Sequence, residues 1–210
     1  MTEESGTSPT LIVATALEYK TLRRAMPNAH IVQAGIALGR LNTTLGDTVV
    51  SCGVAGGLRP DLPTGTLLIP REVRRPGGSV LRCDAALVDV FAQSARSLGI
   101  EPVFDPLLTA DRIVHGAARA QWGAQGFAGV DMETGLIDAL RVAAVRVVLD
   151  TPQHEISADW QWPLLAILKP WNWPQAIWLA REAPRAAMLC ARVVAGAQGI
   201  GKQARITQQW

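Results

Sequence analysis

Several signals that would assign the chain to a broad class are missing from its sequence. The 210 residues include only three cysteines and three histidines, and neither set has the spacing of a disulfide framework or of a zinc site. Charged residues make up 18% of the chain and the formal net charge is only +2. We therefore expect no metal site, and no nucleic-acid partner held by a basic surface.

Long apolar runs are also absent. The chain has no stretch of about 18 uninterrupted apolar residues, so no membrane-spanning helix is expected. The first ten residues, MTEESGTSPT, are polar and acidic, which does not fit a signal peptide. We expect a cytoplasmic protein with reduced thiols, and we predict that residues 1–9 form a disordered lead.

What the sequence does have is an apolar content of 49%, arranged in short blocks. Apolar blocks at residues 11–17, 47–58 and 144–150 are typical of strands buried inside a parallel or mixed sheet. Residues 84–99 have helical spacing, with Asp84 as a plausible N-cap. Strands that alternate with helices predict a three-layer α/β/α sandwich with a central mixed sheet.

Three features lie at strand ends, where such a fold places its functional site. The segment SCGVAGGL places Gly53, Gly56 and Gly57 where the backbone can approach a ligand closely. By itself, this segment is equally typical of a plain tight turn. It fits neither the dinucleotide-binding nor the P-loop spacing.

The other two features are carboxylates. In GVDMETG, Asp131 and Glu133 bracket Met132, and a carboxylate here is suited to accept hydrogen bonds from sugar hydroxyls. The alternative is an N-cap and a first-turn acid at the start of a helix. Asp150 closes the apolar strand RVVLD. Partial desolvation would suit it to donate a proton, and the alternative is a solvated cap.

Taken together and in this order, the three segments resemble the purine nucleoside phosphorylase and nucleosidase superfamily. The opening VATALEYKTL is similar to that family's first strand and turn, and the resemblance covers about residues 10–155. It implies one catalytic domain there, with Trp-rich C-terminal helices over 156–210 packed on the same domain. Within the superfamily, the chain most resembles the hopanoid-associated phosphorylases, also described as adenosylhopane nucleosidases.

The resemblance implies cleavage of an N-glycosidic bond to a purine through an oxocarbenium-like transition state. Asp150 would protonate or hydrogen-bond N7 of the base. Glu133 would hold the ribose hydroxyls, and Met132 would pack against the sugar. The other residues that the resemblance places around the ribose and base are Asp131, Ile113, Val114, Gly53, Val54, Ala55 and Gly56.

Two departures from the family pattern leave the attacking group open. Family nucleosidases that activate water carry a glutamate shortly after the first strand, where the best alignment places Lys20 and where Glu18 lies two residues earlier. Many relatives also have Ser or Thr where Val54 stands. Lys20 is suited to hold phosphate as a co-substrate or to be a plain surface lysine. Arg112 and Arg146 are further candidates for anion contacts, or are surface or sheet-edge residues.

Tryptophan is unusually frequent, with seven residues against three Phe and one Tyr, and five of the seven lie between Trp160 and Trp178. Indole suits an apolar surface with one wet edge. These rings therefore either pack the last helices onto the sheet or form a dimer face. Alternatively, they form an apolar mouth for a large polycyclic substrate, or a shallow contact with the inner membrane.

The sequence thus predicts release of adenine from an adenosyl compound, with adenosylhopane as the leading substrate. The protein is expected to be a homo-oligomer, as relatives often are, and to need no cofactor other than a possible phosphate. The alternatives are a methylthioadenosine or S-adenosylhomocysteine nucleosidase, and a non-catalytic ligand- or membrane-binding protein on the same scaffold.

Overall fold

The computed structural model describes residues 8–157 and 170–207. Short 3₁₀ turns lie at Ile36–Leu38, Thr134–Leu136 and Pro170–Asn172. The helices are α1 (Ala16–Ala25), α2 (Ala85–Ser97), α3 (Gly116–Ala124) and α4 (Trp173–Thr207). The strands are β1 (Thr10–Val13), β2 (Ile31–Gln33), β3 (Thr48–Gly57), β4 (Leu67–Leu68), β5 (Glu72–Arg74), β6 (Val80–Arg82), β7 (Leu107–Thr109), β8 (Gly129–Asp131) and β9 (Arg141–Val148).

The long strand β3 organises the sheet. Most of its length pairs in parallel with β1 on one side and β9 on the other. Its last residues, Gly56 and Gly57, pair antiparallel with β8. Through that end the sheet continues to β7, β5 and β6, while β4 pairs antiparallel with β9. The sheet is therefore mixed, and β3 belongs both to its parallel part, with β1 and β9, and to the part that continues through β8.

Successive side chains of β9 point alternately to the helices on one face of the sheet and to the candidate site on the other face. Along β9, Ala143, Val145 and Val147 face the main core, to which α1, α2 and α4 contribute. Val142 belongs to a smaller core on the opposite face of the sheet. Since successive side chains of a strand point to opposite faces, Arg146 also lies on that opposite face.

The expected α/β architecture, a central mixed sheet with flanking helices, is confirmed, and local differences have physical causes. Asp84 caps α2 as predicted, with its side chain accepting a hydrogen bond from the Leu87 N–H. Strands β5 and β6, which follow Pro70, form an antiparallel hairpin. Where the sequence GVDMETG also allowed the start of a helix, the structure has only the 3₁₀ turn Thr134–Leu136.

Helix α4 packs against the same core as α1 and α2, through residues such as Cys190, Val193 and Val194. Of the predicted C-terminal segment, residues 158–169, including Trp160 and Trp162, lie outside the described residues. The same holds for most of the predicted lead, residues 1–7. Within the described ranges, no helix is both long enough and apolar enough to cross a bilayer.

Candidate active site

Arg146 is the centre of a buried charge network on the face of the sheet opposite the main core. Its side chain is 2% exposed, so the surface or sheet-edge position considered from the sequence is wrong. The Nη2 atom lies 2.8 Å from Asp131 Oδ2 and 3.3 Å from Glu133 Oε2, and it donates to Ser51 Oγ at 2.6 Å. Burial opposes the charge, but Asp131, Glu133 and Glu18 outweigh it and raise the pKa of Arg146.

Asp131 and Glu133 meet at this arginine but are held differently. Asp131 accepts hydrogen bonds from the Thr109 hydroxyl at 2.6 Å and from the backbone and hydroxyl of Thr134. It therefore holds Thr134, the first residue of the short turn, although the N-cap position of that turn is Glu133. Glu133 instead accepts from the Ala37 N–H at 3.2 Å. Asp131 is thus a structural support, and Glu133 is the carboxylate nearer to the loop over the site.

The environment of Glu133 shifts its ionisation. Burial raises the pKa of this carboxyl, and the nearby charges of Asp131 and Glu18 act in the same direction. Arg146 and the Ala37 N–H oppose the rise without cancelling it. Ala37 itself has a positive φ of 52°, a conformation that residues with a Cβ rarely adopt. This strained loop presents its N–H to Glu133.

Glu18 reaches the same network from α1. It is 4% exposed and forms a capping box with Thr15, whose N–H and hydroxyl both donate to Oε2 at 2.8 Å. The other oxygen, Oε1, accepts from the Val54 N–H at 3.0 Å. A Cβ on Gly53 would lie 2.3 Å from Glu18 Oε1 and 3.0 Å from Arg146 Nη1. Glycine at 53 is therefore what allows Glu18 and Arg146 to come together.

Asp150 belongs to a second charged pair, located at the far end of β3. Its Oδ2 accepts from Arg119 Nη2 of α3 at 2.5 Å, and both side chains are less than a tenth exposed. A Cβ on Gly56 would lie 2.9 Å from Arg119 Nη2 and 3.1 Å from Asp150 Oδ1. The solvated-cap interpretation of Asp150 is therefore wrong. As an ion-paired carboxylate, it is suited to accept hydrogen bonds.

The residues of the glycine-rich segment divide between cleft and core. Val54 and Gly56 are half-buried and alternate along β3, so they share one face of the strand. Ala55 is 4% exposed and packs in an apolar cluster with Leu68 and Val148, away from that face. Met132 is also half-buried. The Val54 side chain packs against the main core beside Val147, its partner on β9, on the face of the sheet opposite Arg146.

Ile113 and Val114 line a separate cavity of about 480 Å³. This cavity runs from the turn of the β5–β6 hairpin to the start of α3, and Trp122 forms part of its wall with Arg74 placed over its ring. Val114 packs on the floor of this region with Leu58 and Val130. Neither charged pair contributes to its lining.

Lys20 does not join the site. It is exposed on α1, whereas Glu18, two residues earlier on the helix, is buried against Gly53 and Val54. The loop after β1 therefore brings Glu18, not Lys20, to the position beside the glycine turn. Arg112 is also exposed, at 84% of its side chain, and its nearest acid is Asp111 at 3.9 Å.

Sequence reasoning missed Arg119 altogether. Nothing in the segment GAARAQWGA distinguishes it from a surface arginine of a helix, and only the tertiary contact with Asp150 reveals it.

Several buried side-chain nitrogens near the site have no hydrogen-bond partner among the described residues. Within the described part of the chain, the buried side-chain nitrogens without a hydrogen-bond partner are His115 Nε2, Arg119 Nε, Arg119 Nη1 and Arg146 Nε. All of them lie in or beside the two charged clusters.

Comparison with known proteins gives one family match. The model of the phosphorylase superfamily matches residues 21–161 of the chain. None of the curated proteins that were compared matches it.

Solved structures with similar folds include two nucleosidases and a futalosine hydrolase. The 5′-methylthioadenosine/S-adenosylhomocysteine nucleosidase of Helicobacter pylori, in complex with butyl-thio-DADMe-Immucillin-A, has a TM-score of 0.70 at 13% identity, over 91% of this chain and 97% of that one. The Neisseria meningitidis enzyme of the same name, in complex with methylthio-immucillin-A, has a TM-score of 0.66 at 18% identity, over 90% and 97%. The futalosine hydrolase of Helicobacter pylori has a TM-score of 0.68 at 13% identity, over 91% and 97%. At these identities the likeness shows a shared fold.

Gly53 offers a test of the close approach in this site. Gly53 and Gly65 both have positive φ, but a Cβ at Gly65 would meet no atom within 4 Å. Both Gly→Ala substitutions should carry backbone strain, and Gly53→Ala should cost about 1–3 kcal/mol more, because its methyl group overlaps Glu18. Urea unfolding of the two variants measures the difference. Equal losses would show that Glu18 is not held against Gly53.

Proposed function

The chain belongs to the phosphorylase superfamily, and on that premise we propose that it hydrolyses the N-glycosidic bond of an adenosyl compound and releases adenine. The observation that carries the proposal is the pair of charged clusters at either side of the β3 glycines. Glu18, Glu133 and Arg146 lie at one side, and Asp150 and Arg119 lie at the other. A nucleoside between them would have its ribose at the first cluster and its base at the second.

The charge of the first cluster favours water over phosphate as the attacking group. Three carboxylates, those of Glu18, Asp131 and Glu133, surround the single guanidinium of Arg146. The cluster is therefore formally negative and repels a phosphate dianion. Glu18 is suited to accept a proton from water, as a buried carboxylate fixed by Thr15 and the Val54 N–H.

Glu133 is the proposed ribose ligand. Its position beside Met132 and under the Ala37 loop suits a carboxylate that accepts hydrogen bonds from the 2′ and 3′ hydroxyls. Arg146 keeps it charged and oriented from behind. Hydrogen bonds that strengthen as positive charge develops on the sugar favour the transition state over the bound substrate.

We propose adenosylhopane, a lipid nucleoside, as the substrate. Support comes from the start of α4, where Trp171, Trp173 and Ile177 are 71%, 58% and 72% exposed. The next tryptophan, Trp178, stacks on His154 with ring centroids 4.3 Å apart, in the turn that follows Asp150. An exposed apolar helix start thus lies beside the base end of the site, and such a surface suits a lipid interface.

A methylthioadenosine or S-adenosylhomocysteine nucleosidase is the second candidate. Buried Glu18 favours it, because a glutamate after the first strand is the feature that the resemblance associates with water activation. The two candidates share the chemistry and differ only in the 5′ substituent of the nucleoside. A non-catalytic binding protein on this scaffold would not need the contacts that hold Glu18 against Thr15 and the Val54 N–H, or those that hold Asp150 against Arg119.

Adenine release tests the reaction. The parent should release adenine from 5′-methylthioadenosine, or from an adenosyl substrate with a long apolar 5′ chain, at a rate independent of added phosphate. Glu18→Gln and Asp150→Asn should each lower kcat by about 10²- to 10⁴-fold, as expected for removing an acid–base or leaving-group contact. Chromatography of adenine and of the free sugar measures both.

Lys20→Gln is the matched control for Glu18→Gln, since it changes an exposed residue two positions away on the same helix. Its rate should equal that of the parent. A reaction that requires phosphate and fails in Lys20→Gln would reverse the assignment of the attacking group. Adenine binding without release from any nucleoside would favour the non-catalytic alternative.

The raised pKa of Glu133 predicts a pH dependence. Glu133 must be ionised to accept hydrogen bonds from ribose, and burial raises its pKa above the usual 4.5. As pH falls, kcat/KM should therefore decline with an apparent pKa above that of an ordinary glutamate. Binding of free adenine, which has no ribose, should lack this limb. An acid limb of the same midpoint in adenine binding would assign it to a group other than Glu133.

The lipid proposal predicts a selective effect at the start of α4. Trp171→Ala combined with Trp173→Ala should weaken binding to anionic phospholipid vesicles and slow release of adenine from a long-chain substrate held in them. Release from soluble 5′-methylthioadenosine should not change. Met188→Ala removes another exposed apolar side chain of α4 and serves as the control. Vesicle sedimentation that is the same for all these proteins would exclude the lipid interface.

A further inference from the structure

A cavity of about 480 Å³, called the hairpin cavity below, has no role in the proposed reaction. Its lining comes from the turn of the β5–β6 hairpin, the end of β7, the loop that follows β7 and the first turns of α3. None of the residues to which the hydrolysis is assigned lines it. A cavity of this size is typical of a pocket for a small molecule.

The charged side chains of the hairpin cavity are mostly cationic. Arg74, Arg75 and Arg112 line it, and Asp111 is the single acid among its described lining residues. Arg112 Nε lies 3.9 Å from Asp111 Oδ1, which is beyond hydrogen-bond length. Arg75 donates to the Ile137 carbonyl at 3.3 Å. The lining therefore carries an excess of positive charge, which suits an anionic ligand.

Arg74 is held in place by contacts that do not use its hydrogen-bond donors. Its guanidinium lies over the Trp122 ring, 5.4 Å from the ring centroid, and a Cβ on Gly78 would lie 3.2 Å from Nη2. Stacking leaves the N–H groups at the edge of the guanidinium available. Among the described residues no acid pairs with Arg74, whereas Arg82 of the same hairpin has Glu72 at 3.6 Å.

The loop after β7 adds further donors. Residues 111–115 all line the hairpin cavity, and no hydrogen bond from the described part of the chain reaches their backbone N–H groups. Consecutive N–H groups of this kind are a common anion-binding arrangement. In the same loop, the buried His115 Nε2 has no partner within the described ranges.

The remaining lining is apolar and includes Leu108, Ile113, Val114 and Trp122. A matching ligand therefore has an anionic group and an apolar part. Several guanidinium groups around one space favour a dianion, and a phosphate monoester carries a charge of about −1.5 to −2 at neutral pH. Its three terminal oxygens also fit the fork of donors that an arginine presents.

We propose that the hairpin cavity binds a phosphate monoester whose organic part is apolar. Arg74 donates to the phosphate oxygens, Arg112 adds a contact from the exposed side, and Trp122 packs against the apolar part. The bound phosphate is not the attacking group, because neither charged cluster lines the cavity. The proposal goes beyond the proposed function and does not depend on it.

Calorimetry with phenyl phosphate at constant ionic strength tests the site. The parent should bind phenyl phosphate at least about tenfold more tightly than phenol or inorganic phosphate, since each of these lacks one of the two parts. Arg74→Gln should weaken the binding by about tenfold or more. Arg82→Gln is the matched control, because it removes the same charge from the same hairpin at a side chain that is 86% exposed. Its affinity should equal that of the parent.

A second variant covers the case in which Arg74→Gln fails to fold. The side chain of Arg112 is 84% exposed, so Arg112→Gln leaves the packing intact. It should weaken phenyl phosphate binding by about two- to fivefold. Saturation with adenine should leave the affinity of the parent for phenyl phosphate unchanged.

Vesicles distinguish the two sources of such a ligand. Phosphatidic acid in phosphatidylcholine vesicles presents a phosphate monoester as its headgroup. Competition of these vesicles with phenyl phosphate, lost in Arg74→Gln, identifies the ligand as a lipid headgroup. Binding of phenyl phosphate without such competition identifies it as a soluble ester.

Four results would overturn the proposal. They are a parent that does not bind phenyl phosphate, an affinity unchanged in both Arg74→Gln and Arg112→Gln, an equal loss in Arg82→Gln, and displacement of phenyl phosphate by adenine. None of the first three bears on the proposed hydrolysis. Conversely, a protein that releases no adenine but binds phenyl phosphate through Arg74 would contradict the proposed function alone.

Discussion

The structure depends on the burial of one positive charge, the guanidinium of Arg146, on the face of the sheet opposite the main core. A buried cation is tolerated only when paired and hydrogen-bonded, so its surroundings have to supply acceptors from several directions. Glu18 comes from the first helix, Asp131 and Glu133 come from the end of β8, and Ser51 comes from the neighbouring strand. Because this buried charge has to be paired, it fixes the positions of α1 and of the segment after β8 on the sheet.

Two glycines of β3 allow charged side chains to lie close to the strand, because a glycine has no Cβ. At Gly53 the missing Cβ admits Glu18 and Arg146, and at Gly56 it admits Arg119 and Asp150. Between them, Val54 contributes an N–H and Ala55 points into the core. A single strand therefore holds the two charged clusters at a fixed distance from each other, which is the positioning that the proposed cleavage of a bond between sugar and base requires.

Sequence patterns were sufficient where the signal was local. Continuous apolar blocks located β3 and β9, and a cap residue located the start of α2. Patterns failed where partners came from distant segments. The acids of GVDMET predicted a helix, but their hydrogen bonds go to Thr109 and Ala37. Alignment favoured Lys20 over Glu18, and no local pattern reveals that an arginine in the middle of α3 reaches Asp150.

The order of strands along the chain has a consequence for the timing of assembly. β9 pairs with β3 over eight positions, yet it is the last strand of the described chain and it carries Arg146. Contacts between segments so far apart form late, because closing the intervening loop costs entropy first. Before β9 docks, the acids that will surround Arg146 have no cation to gather around. The catalytic site would then be among the last parts of the molecule to form, and the appearance of activity during refolding would report the insertion of this final strand.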